Sequence, residues 1–219
     1  MKIEIYSDVL CPWCYIGQRR LAAALDGFEH RDELEIVWRS FELAPGQGSE
    51  PGPTAAEAMA EWTDPAALPG RIEMITSLGR EEGLEINLHK SRPVGTFDAH
   101  RLTHFAAERG RLEEVMERLF HAYHTEARNI ADRTVLVRLA GAAGLDEDEV
   151  RTVLEGDRYG DAVRADESRA REFNVTSVPS LVIDGRPPVS GVQDPEKLLT
   201  FIRRSWDRAQ NRQTTATTG

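Results

Sequence analysis

Two cysteines, Cys11 and Cys14, stand three positions apart and are the only cysteines among the 219 residues. Such a pair can cycle between a dithiol and a disulfide, with one thiol attacking a substrate sulfur and the other resolving the mixed disulfide. The alternative chemistry for this spacing is half of a zinc site, which usually needs a second pair of Cys or His ligands. Because the chain has no further cysteine, the pattern favours thiol–disulfide chemistry.

The elements around the pair give the two thiols different roles. Residues 2–7 alternate apolar and polar side chains, which predicts a strand, and residues 12–28 carry apolar residues at helical spacing. Cys11 then lies at or just before the first helical residue, where unpaired N–H groups favour a thiolate. Pro12 suits the first turn, because its missing N–H would have no partner there anyway. Cys14 lies one turn deeper and should be less exposed, so we assign Cys11 as the nucleophile and Cys14 as the resolving thiol.

Two side chains next to the cysteines each allow two interpretations. The indole of Trp13 could stack on an apolar substrate or merely cover Cys14. Asp8, three residues before Cys11, could oppose the thiolate by charge repulsion or cap the helix. We favour the capping interpretation, since Asp is a common helix cap.

Composition describes an ordinary globular chain, with 40% hydrophobic and 29% charged residues. A net charge of −10 argues against a general nucleic-acid or anionic-membrane binder. No run approaches the ~18 apolar residues of a membrane span, and the N-terminus enters a strand pattern without a basic and apolar leader. Because both cysteines belong to one motif, we expect a reducing compartment and a cytoplasmic protein.

The next part of the chain predicts a second strand and then a long helical block. Residues 34–41 alternate as a strand, which would pair parallel with the first because a helix connects them. Residues 44–53 are rich in Pro and Gly and form a loop. Helical patterns then occupy most of residues 54–172. The predicted helices cover 55–62, 66–82, 96–109, 111–125, 133–143, 147–155 and 158–172.

The C-terminal part returns to strand patterns. Residues 180–183 predict a strand, and residues 187–190 predict a short antiparallel edge strand, because proline suits only an edge. A final helix should run from Asp194-Pro195 to about Trp206. Residues 207–219 have no apolar pattern and are predicted to be a disordered tail.

Three stretches carry a resemblance to a known family. They are Ser-Asp-x-x-Cys-Pro-Trp-Cys-Tyr at 7–15, Thr-Phe-Asp-Ala-His-Arg-Leu at 96–102 and Val-Thr-Ser-Val-Pro-Ser at 175–180. In combination they resemble the DsbA-like members of the thioredoxin superfamily, and in particular the FrnE-type oxidoreductases. The resemblance extends to about Arg204.

The resemblance implies an α/β, thioredoxin-like fold with a large all-helical insertion between its two halves. The thioredoxin-like domain would comprise residues 1–43 and 173–206. Residues 54–172 would form the inserted helical domain.

The same resemblance adds three site residues. In thioredoxin-like folds the position of Pro179 holds a cis proline that faces the cysteine pair, and the backbone of the preceding residue, here Val178, can pair with a bound peptide or thiol. In this family the helix of His100 faces the active-site cleft, where a cationic imidazole would stabilise the thiolate of Cys11. The alternative places His100 at the interface between the helical block and the sheet. The candidate site therefore comprises the catalytic residues Cys11, Cys14 and Pro179 and the substrate-binding residues Pro12, Trp13, Val178 and His100.

The histidines also suggest a metal site, which we do not expect. His100 and His104 stand at i and i+4, and His121 and His124 at i and i+3, spacings that can hold a metal. Neither pair has the intervening Glu of a zinc-peptidase motif, and no third ligand is evident.

The predicted function is a thiol–disulfide oxidoreductase that acts on protein or small-molecule thiols and disulfides, without a metal or flavin cofactor. Glutathione is a candidate co-substrate. One alternative is a glutathione-dependent isomerase or transferase acting on an aromatic or polyketide-type molecule. Hydroxychromene carboxylate isomerases and kappa-class glutathione transferases are such relatives, but several have serine where Cys11 stands and lack a second cysteine. The other alternative is a helical binding module with a vestigial redox site.

Overall fold

The computed structural model describes residues 1–217. The strand that precedes the cysteines lies inside its four-stranded sheet. Strand β1 (Lys2–Ser7) pairs parallel with β2 (Glu35–Ser40) and antiparallel with β3 (Ser180–Ile183). A two-residue strand, β4 (Val189–Ser190), lies at the edge of the sheet beside β3, so the strand order is β2-β1-β3-β4. The predicted strands, the parallel first pair and the antiparallel edge strand are confirmed, although the edge strand is shorter than predicted.

Helices supply most of the remaining described chain. Helix α1 (Pro12–Asp26) follows β1, and a short 3-10 turn at Arg31–Glu33 leads into β2. Seven helices then lie between β2 and β3: α2 (Ala55–Met59), α3 (Leu68–Glu81), α4 (Phe97–Glu108), α5 (Leu112–His124), α6 (Arg133–Ala142), α7 (Glu147–Glu155) and α8 (Gly160–Glu172). Each corresponds to a predicted helix, and the predicted α/β fold with a large helical insertion is confirmed.

Three of these helices begin at capping residues. The Thr54 hydroxyl accepts the N–H of Glu57 while the Glu57 carboxylate accepts the N–H of Thr54, which together form a capping box. The carboxylates of Asp132 and Asp146 accept the first N–H groups of α6 and α7. These short polar side chains pair backbone donors that have no partner inside the helix.

The two faces of the sheet are covered by different parts of the chain. On one face, Ile3 packs with α1 and with the last helix, α9 (Pro195–Thr217), through buried side chains such as Leu198. On the other face, Tyr6 packs against Ala170 of α8. Helix α8, the last helix of the insertion, therefore lies against the sheet itself. None of the helices within residues 1–217 has the length and apolar character that crossing a bilayer requires.

The prediction for the C-terminus is wrong over most of its length. The last helix was expected to end near Trp206 and to be followed by a disordered tail, yet α9 continues to Thr217. Residues 207–217 contain no Gly or Pro and include good helix formers such as Ala, Arg and Gln, so local propensity extends the helix beyond its last buried anchor. Residues 218–219 of the predicted tail lie outside the described residues.

The helical insertion covers the cysteine end of the sheet. Cys11 and Cys14 belong to the same buried apolar cluster as Leu102 and Phe105 of α4 and Phe120 of α5. The cysteines are therefore packed into the junction between insertion and sheet.

A glycine allows the cysteine helix to approach the Pro179 loop. A Cβ placed on Gly17 of α1 would lie 2.9 Å from both the Gly191 carbonyl oxygen and the Pro179 Cγ. Real Cβ atoms do not approach neighbours this closely, so only glycine fits here without a shift of the backbone. The contact sets the distance between α1 and the proline loop.

We predict that Gly17→Ala lowers the free energy of unfolding by about 1–3 kcal/mol, the cost of overpacking a close contact. Urea denaturation would measure it. Gly70→Ala is the matched control, because its Cβ would meet no atom within 4 Å in α3. The control should be neutral or stabilising by up to ~1 kcal/mol, since alanine favours a helix more than glycine does. Equal losses in the two variants would show that the contact at Gly17 does not constrain the fold.

Candidate active site

The two cysteines occupy the start of α1 in different surroundings. Cys11 is the N-cap residue, and Pro12 is the first residue of the helix. Both thiols are free and buried, with Cys14 at 1% and Cys11 at 5% exposure. The Cys11 thiol donates a hydrogen bond to the Val178 carbonyl at 3.4 Å. The predicted helix start and the deeper burial of Cys14 are confirmed.

The surroundings of Cys14 keep its thiol protonated. Burial raises the pKa of Cys14 well above its ordinary value, and its contact with Cys11 raises it further. The Ser7 side chain and the Asp8 backbone oppose this shift only in part. Cys14 therefore stays protonated at neutral pH, because a thiolate there would be poorly solvated.

The Pro179 loop reaches the cysteines through the residue before the proline. The Val178–Pro179 peptide bond is cis, as predicted. The carbonyl of Val178 faces Cys11, whereas the carbonyl of Pro179 accepts the N–H of Gly191 at 2.8 Å. A loop remote in sequence thereby lies directly beside the nucleophile proposed from the sequence.

Asp8 does not cap α1, so that interpretation is wrong. Its carboxylate is fully buried and accepts the N–H of Leu43 at 2.7 Å and that of Leu10 at 3.4 Å. An N-cap must directly precede the first helical residue, and Cys11 takes that position. Asp8 instead ties the loop after β1 to the chain after β2.

His100 contacts Asp8 and does not reach the cysteine groove. Its Nε2 lies 3.5 Å from Asp8 Oδ1, and the side chain is 4% exposed. Burial alone would lower the pKa of His100, but Asp8, with help from Glu42 and Glu167, raises it. Of the two alternatives from the sequence, the structure shows the interface position, and His100 lines a small cavity behind the site that also includes Ser7.

His124 of α5 supports the loop between β1 and α1, which carries Cys11. This fully buried imidazole lies with Nε2 2.9 Å from the Val9 carbonyl, and it stacks on Tyr15. Burial lowers the pKa of His124 to about 4. A neutral imidazole therefore donates its N–H to the loop between β1 and α1.

The paired histidines do not converge on a common ligand site. His104 lies 3.1 Å from Asp166, and His121 lies 3.5 Å from Glu126. In the part of the chain that the structure describes, no three His, Cys, Asp or Glu residues are grouped as metal ligands.

A groove opens beside Cys11 between α1, the Pro179 loop and the insertion. It encloses about 600 Å³, a volume that fits a small molecule or a short peptide. Pro12, Trp13 and Val178, which the sequence suggested as substrate-binding residues, line it, and Trp13 is half-buried against the apolar cluster below. The structure thus brings six of the seven predicted residues together, with Cys14 behind Cys11 and Pro179 following Val178 in the loop, and leaves His100 outside the groove.

Other residues that line the groove or hold the cysteine loop were not predicted from the sequence. Trp62, in the turn after α2, and Arg71 of α3 line the groove, and His124 of α5 supports the cysteine loop. Glu42 lies near His100, and burial with the neighbouring Glu167 raises its pKa to about 7. None of these residues belongs to a local motif; the i, i+3 spacing of His124 was the single available signal, and it suggested a metal.

The fold and the site together define a class of protein. A parallel β-α-β unit with Cys-Pro-Trp-Cys at its helix start, followed after a helical insertion by a cis proline and an antiparallel strand pair, is the thioredoxin-like arrangement of a thiol–disulfide oxidoreductase or a related isomerase. The chain belongs to the family of the DSBA-like thioredoxin domain, whose model matches residues 2–203. The resemblance seen in the three sequence stretches is therefore confirmed.

Solved structures agree with this assignment. The probable DsbA oxidoreductase SCO1869 of Streptomyces coelicolor is 37% identical, with a TM-score of 0.88 over 94% of this chain and 90% of its own. A 2-hydroxychromene-2-carboxylate isomerase shares the fold at 15% identity and a TM-score of 0.67, over 100% of both chains. The cytosolic disulfide reductase DsbM of Pseudomonas aeruginosa, solved with glutathione, does so at 17% identity and a TM-score of 0.65, over 94% of this chain and 100% of its own.

The neutral state of His124 predicts a pH dependence of stability. Its pKa is about 4 when folded and about 6.5 when unfolded, so the unfolded chain binds the proton more readily. The resulting stability is present above pH ~6.5 and is lost as pH falls toward ~4, by up to about 3 kcal/mol. His124→Gln, which keeps an N–H donor, should lack this loss.

Urea unfolding of both proteins between pH 7 and 4 would measure the difference. Other titrating groups, including His100 with its opposite shift, are common to both proteins and cancel in the comparison. A difference in free energy that stays constant with pH would mean that His124 is not held neutral by burial.

Proposed function

We propose that the protein is a thiol–disulfide oxidoreductase in which Cys11 is the nucleophile and Cys14 the resolving thiol. The observation that carries the proposal is the asymmetry of the pair. Cys11 borders the groove at the start of α1, where its thiol meets the Val178 carbonyl. Cys14 lies behind it and has a raised pKa.

The reaction follows from that asymmetry. In the reducing direction the Cys11 thiolate attacks one sulfur of a substrate disulfide; the substrate S–S bond breaks, and one sulfur leaves as a thiolate. Cys14 then gives up its proton and attacks Cys11, which releases the second substrate thiol and forms the Cys11–Cys14 disulfide. The enzyme loses two electrons and the substrate gains them. The oxidising direction is the reverse.

The remaining site residues would hold the substrate. Val178 lies in the groove beside Cys11, where its backbone can pair with an extended peptide or a thiol ligand once the Cys11 thiol has reacted. Trp13 offers an aromatic surface next to the nucleophile. Pro179 would orient the backbone of Val178, and Pro12 would make an apolar contact with the substrate. The substrates would be protein or small-molecule disulfides and thiols.

Glutathione and a reducing compartment belong to the same proposal. The DsbM structure was solved with glutathione, which supports a thiol co-substrate of this kind in a shared fold. Both cysteines of this chain serve the motif and none forms a structural bridge, a usage typical of cytoplasmic proteins. We therefore place the reaction in the cytoplasm.

A glutathione-dependent isomerase or transferase is the second candidate, supported by the fold shared with the 2-hydroxychromene-2-carboxylate isomerase. Such chemistry binds glutathione without oxidising a second protein thiol. It gives Cys14 no part, whereas the buried, high-pKa Cys14 beside Cys11 suits a resolving thiol.

Replacing Cys14 separates these functions. Cys14→Ala should accumulate mixed disulfides through Cys11 and lose turnover of protein disulfides, because no second thiol can release the substrate. Non-reducing electrophoresis and mass spectrometry would detect the adduct, and Cys11→Ala should form none. Full glutathione-dependent activity in Cys14→Ala would instead support the isomerase. A wild-type protein inactive in both assays would support a binding module with a vestigial site.

A further inference from the structure

The groove beside Cys11 is mostly apolar but contains one half-buried cation. Its walls include Leu10, Met59 and Ile75, and its only charged lining residues within the described chain are Glu61 and Arg71. Glu61 is exposed at the rim, where water screens its field. Arg71 is half-buried, so its charge acts more strongly on a ligand inside the groove.

Arg71 lacks the partner that comparable arginines have. Buried Arg20, for example, pairs with Glu82 at 2.7 Å. No carboxylate of the described residues forms an ion pair with Arg71, and its Nε is buried without a hydrogen-bond partner. A guanidinium with a buried, unpaired N–H and no carboxylate partner carries a desolvation cost, which an anion bound to its other N–H groups would offset.

An aromatic ring holds this guanidinium in place. The Arg71 Cζ lies 4.7 Å from the centre of the Trp62 ring, which is the geometry of a cation–π contact. Trp62 is 62% exposed, the most exposed of the large apolar side chains that the structure describes. Stacking restricts the guanidinium and leaves its in-plane N–H fork free for a planar anion, while the indole offers apolar surface to the ligand's body.

We propose that Trp62 and Arg71 form a subsite that selects substrates carrying a carboxylate next to an aromatic or apolar group. The inference rests on the proposed function, since it assigns the substrate class of the same groove. The anion would lie on Arg71 while the substrate sulfur faces Cys11. Arg71 is thus a specificity residue and takes no part in the electron transfer.

Two aromatic disulfides of different charge test the subsite. Dithiobis(nitrobenzoate) carries two carboxylates, and dithiodipyridine is neutral at pH 7. Each oxidises the reduced enzyme to the Cys11–Cys14 disulfide and is itself reduced to two aromatic thiols, whose absorbance reports the rate. The experiment compares variant with wild type for each reagent, so the different intrinsic reactivities of the two reagents cancel.

Arg71→Gln should slow the reaction with dithiobis(nitrobenzoate) about tenfold, the usual worth of a hydrogen bond to a charged group, and should leave dithiodipyridine within about twofold. Arg71→Lys keeps the charge without the fork and should recover part of the loss. Arg80→Gln is the matched control, because Arg80 lies on the same helix but outside the groove. It should alter neither rate. Equal slowing of both reagents by Arg71→Gln, or no slowing of either, would overturn the subsite.

A binding measurement tests the subsite independently of turnover. By calorimetry, nitrobenzoate should bind the wild-type protein about tenfold more tightly than it binds Arg71→Gln, by the same hydrogen-bond estimate, and neutral nitrobenzamide should bind both alike. If the wild-type protein reduced neither disulfide but still showed this binding difference, the oxidoreductase proposal would fail and the anion subsite would stand. Equal binding of nitrobenzoate to both proteins would overturn the subsite itself.

Discussion

The buried carboxylate of Asp8 is the interaction on which the arrangement of the site depends. A carboxylate at zero exposure is tolerated only when its charge is paired and its oxygens accept hydrogen bonds. Asp8 meets this condition with the N–H groups of Leu10 and Leu43 and with His100 of α4. One side chain thereby joins the cysteine loop, the chain that leaves β2 and the helical insertion.

The contacts at this junction determine the positions of the two cysteines. His124 of α5 supports the same loop at Val9, and the Val178 carbonyl meets Cys11 from the far end of the chain. The insertion is therefore part of the structure of the cysteine site, because α4 and α5 hold the loop that presents Cys11. The same packing excludes water from Cys14 and raises its pKa. The position of Cys11 at the edge of the groove and the deeper burial of Cys14 are two results of one packing arrangement.

Local patterns predicted the fold and the part of the site around the two cysteines. Strand alternation, helix caps and the Cys-x-x-Cys motif act over a few residues, so they located the sheet, the helices and the start of α1. The groove depends on contacts between elements that are far apart in sequence. Trp62 and Arg71 lie about fifty and sixty residues after Cys11 in the sequence, and their stacking appears only once the turn after α2 and helix α3 are placed. Asp8 was misassigned for the same reason, since its partners Leu43 and His100 come from other elements. The end of α9 was predicted wrongly for a different reason. The prediction ended the helix near Trp206, where the apolar pattern stops, whereas α9 continues to Thr217 without that pattern.

The direct test of the account is the identity of the thiol that reacts first. Short pulses of iodoacetamide on the reduced, folded protein, followed by denaturation, a second isotopic label and mass spectrometry, would give a separate rate for each cysteine. The account predicts rapid labelling of Cys11 and little labelling of Cys14 near neutral pH, because Cys11 borders the groove whereas Cys14 lies behind it with a raised pKa. Equal rates for the two thiols, or faster labelling of Cys14, would contradict it.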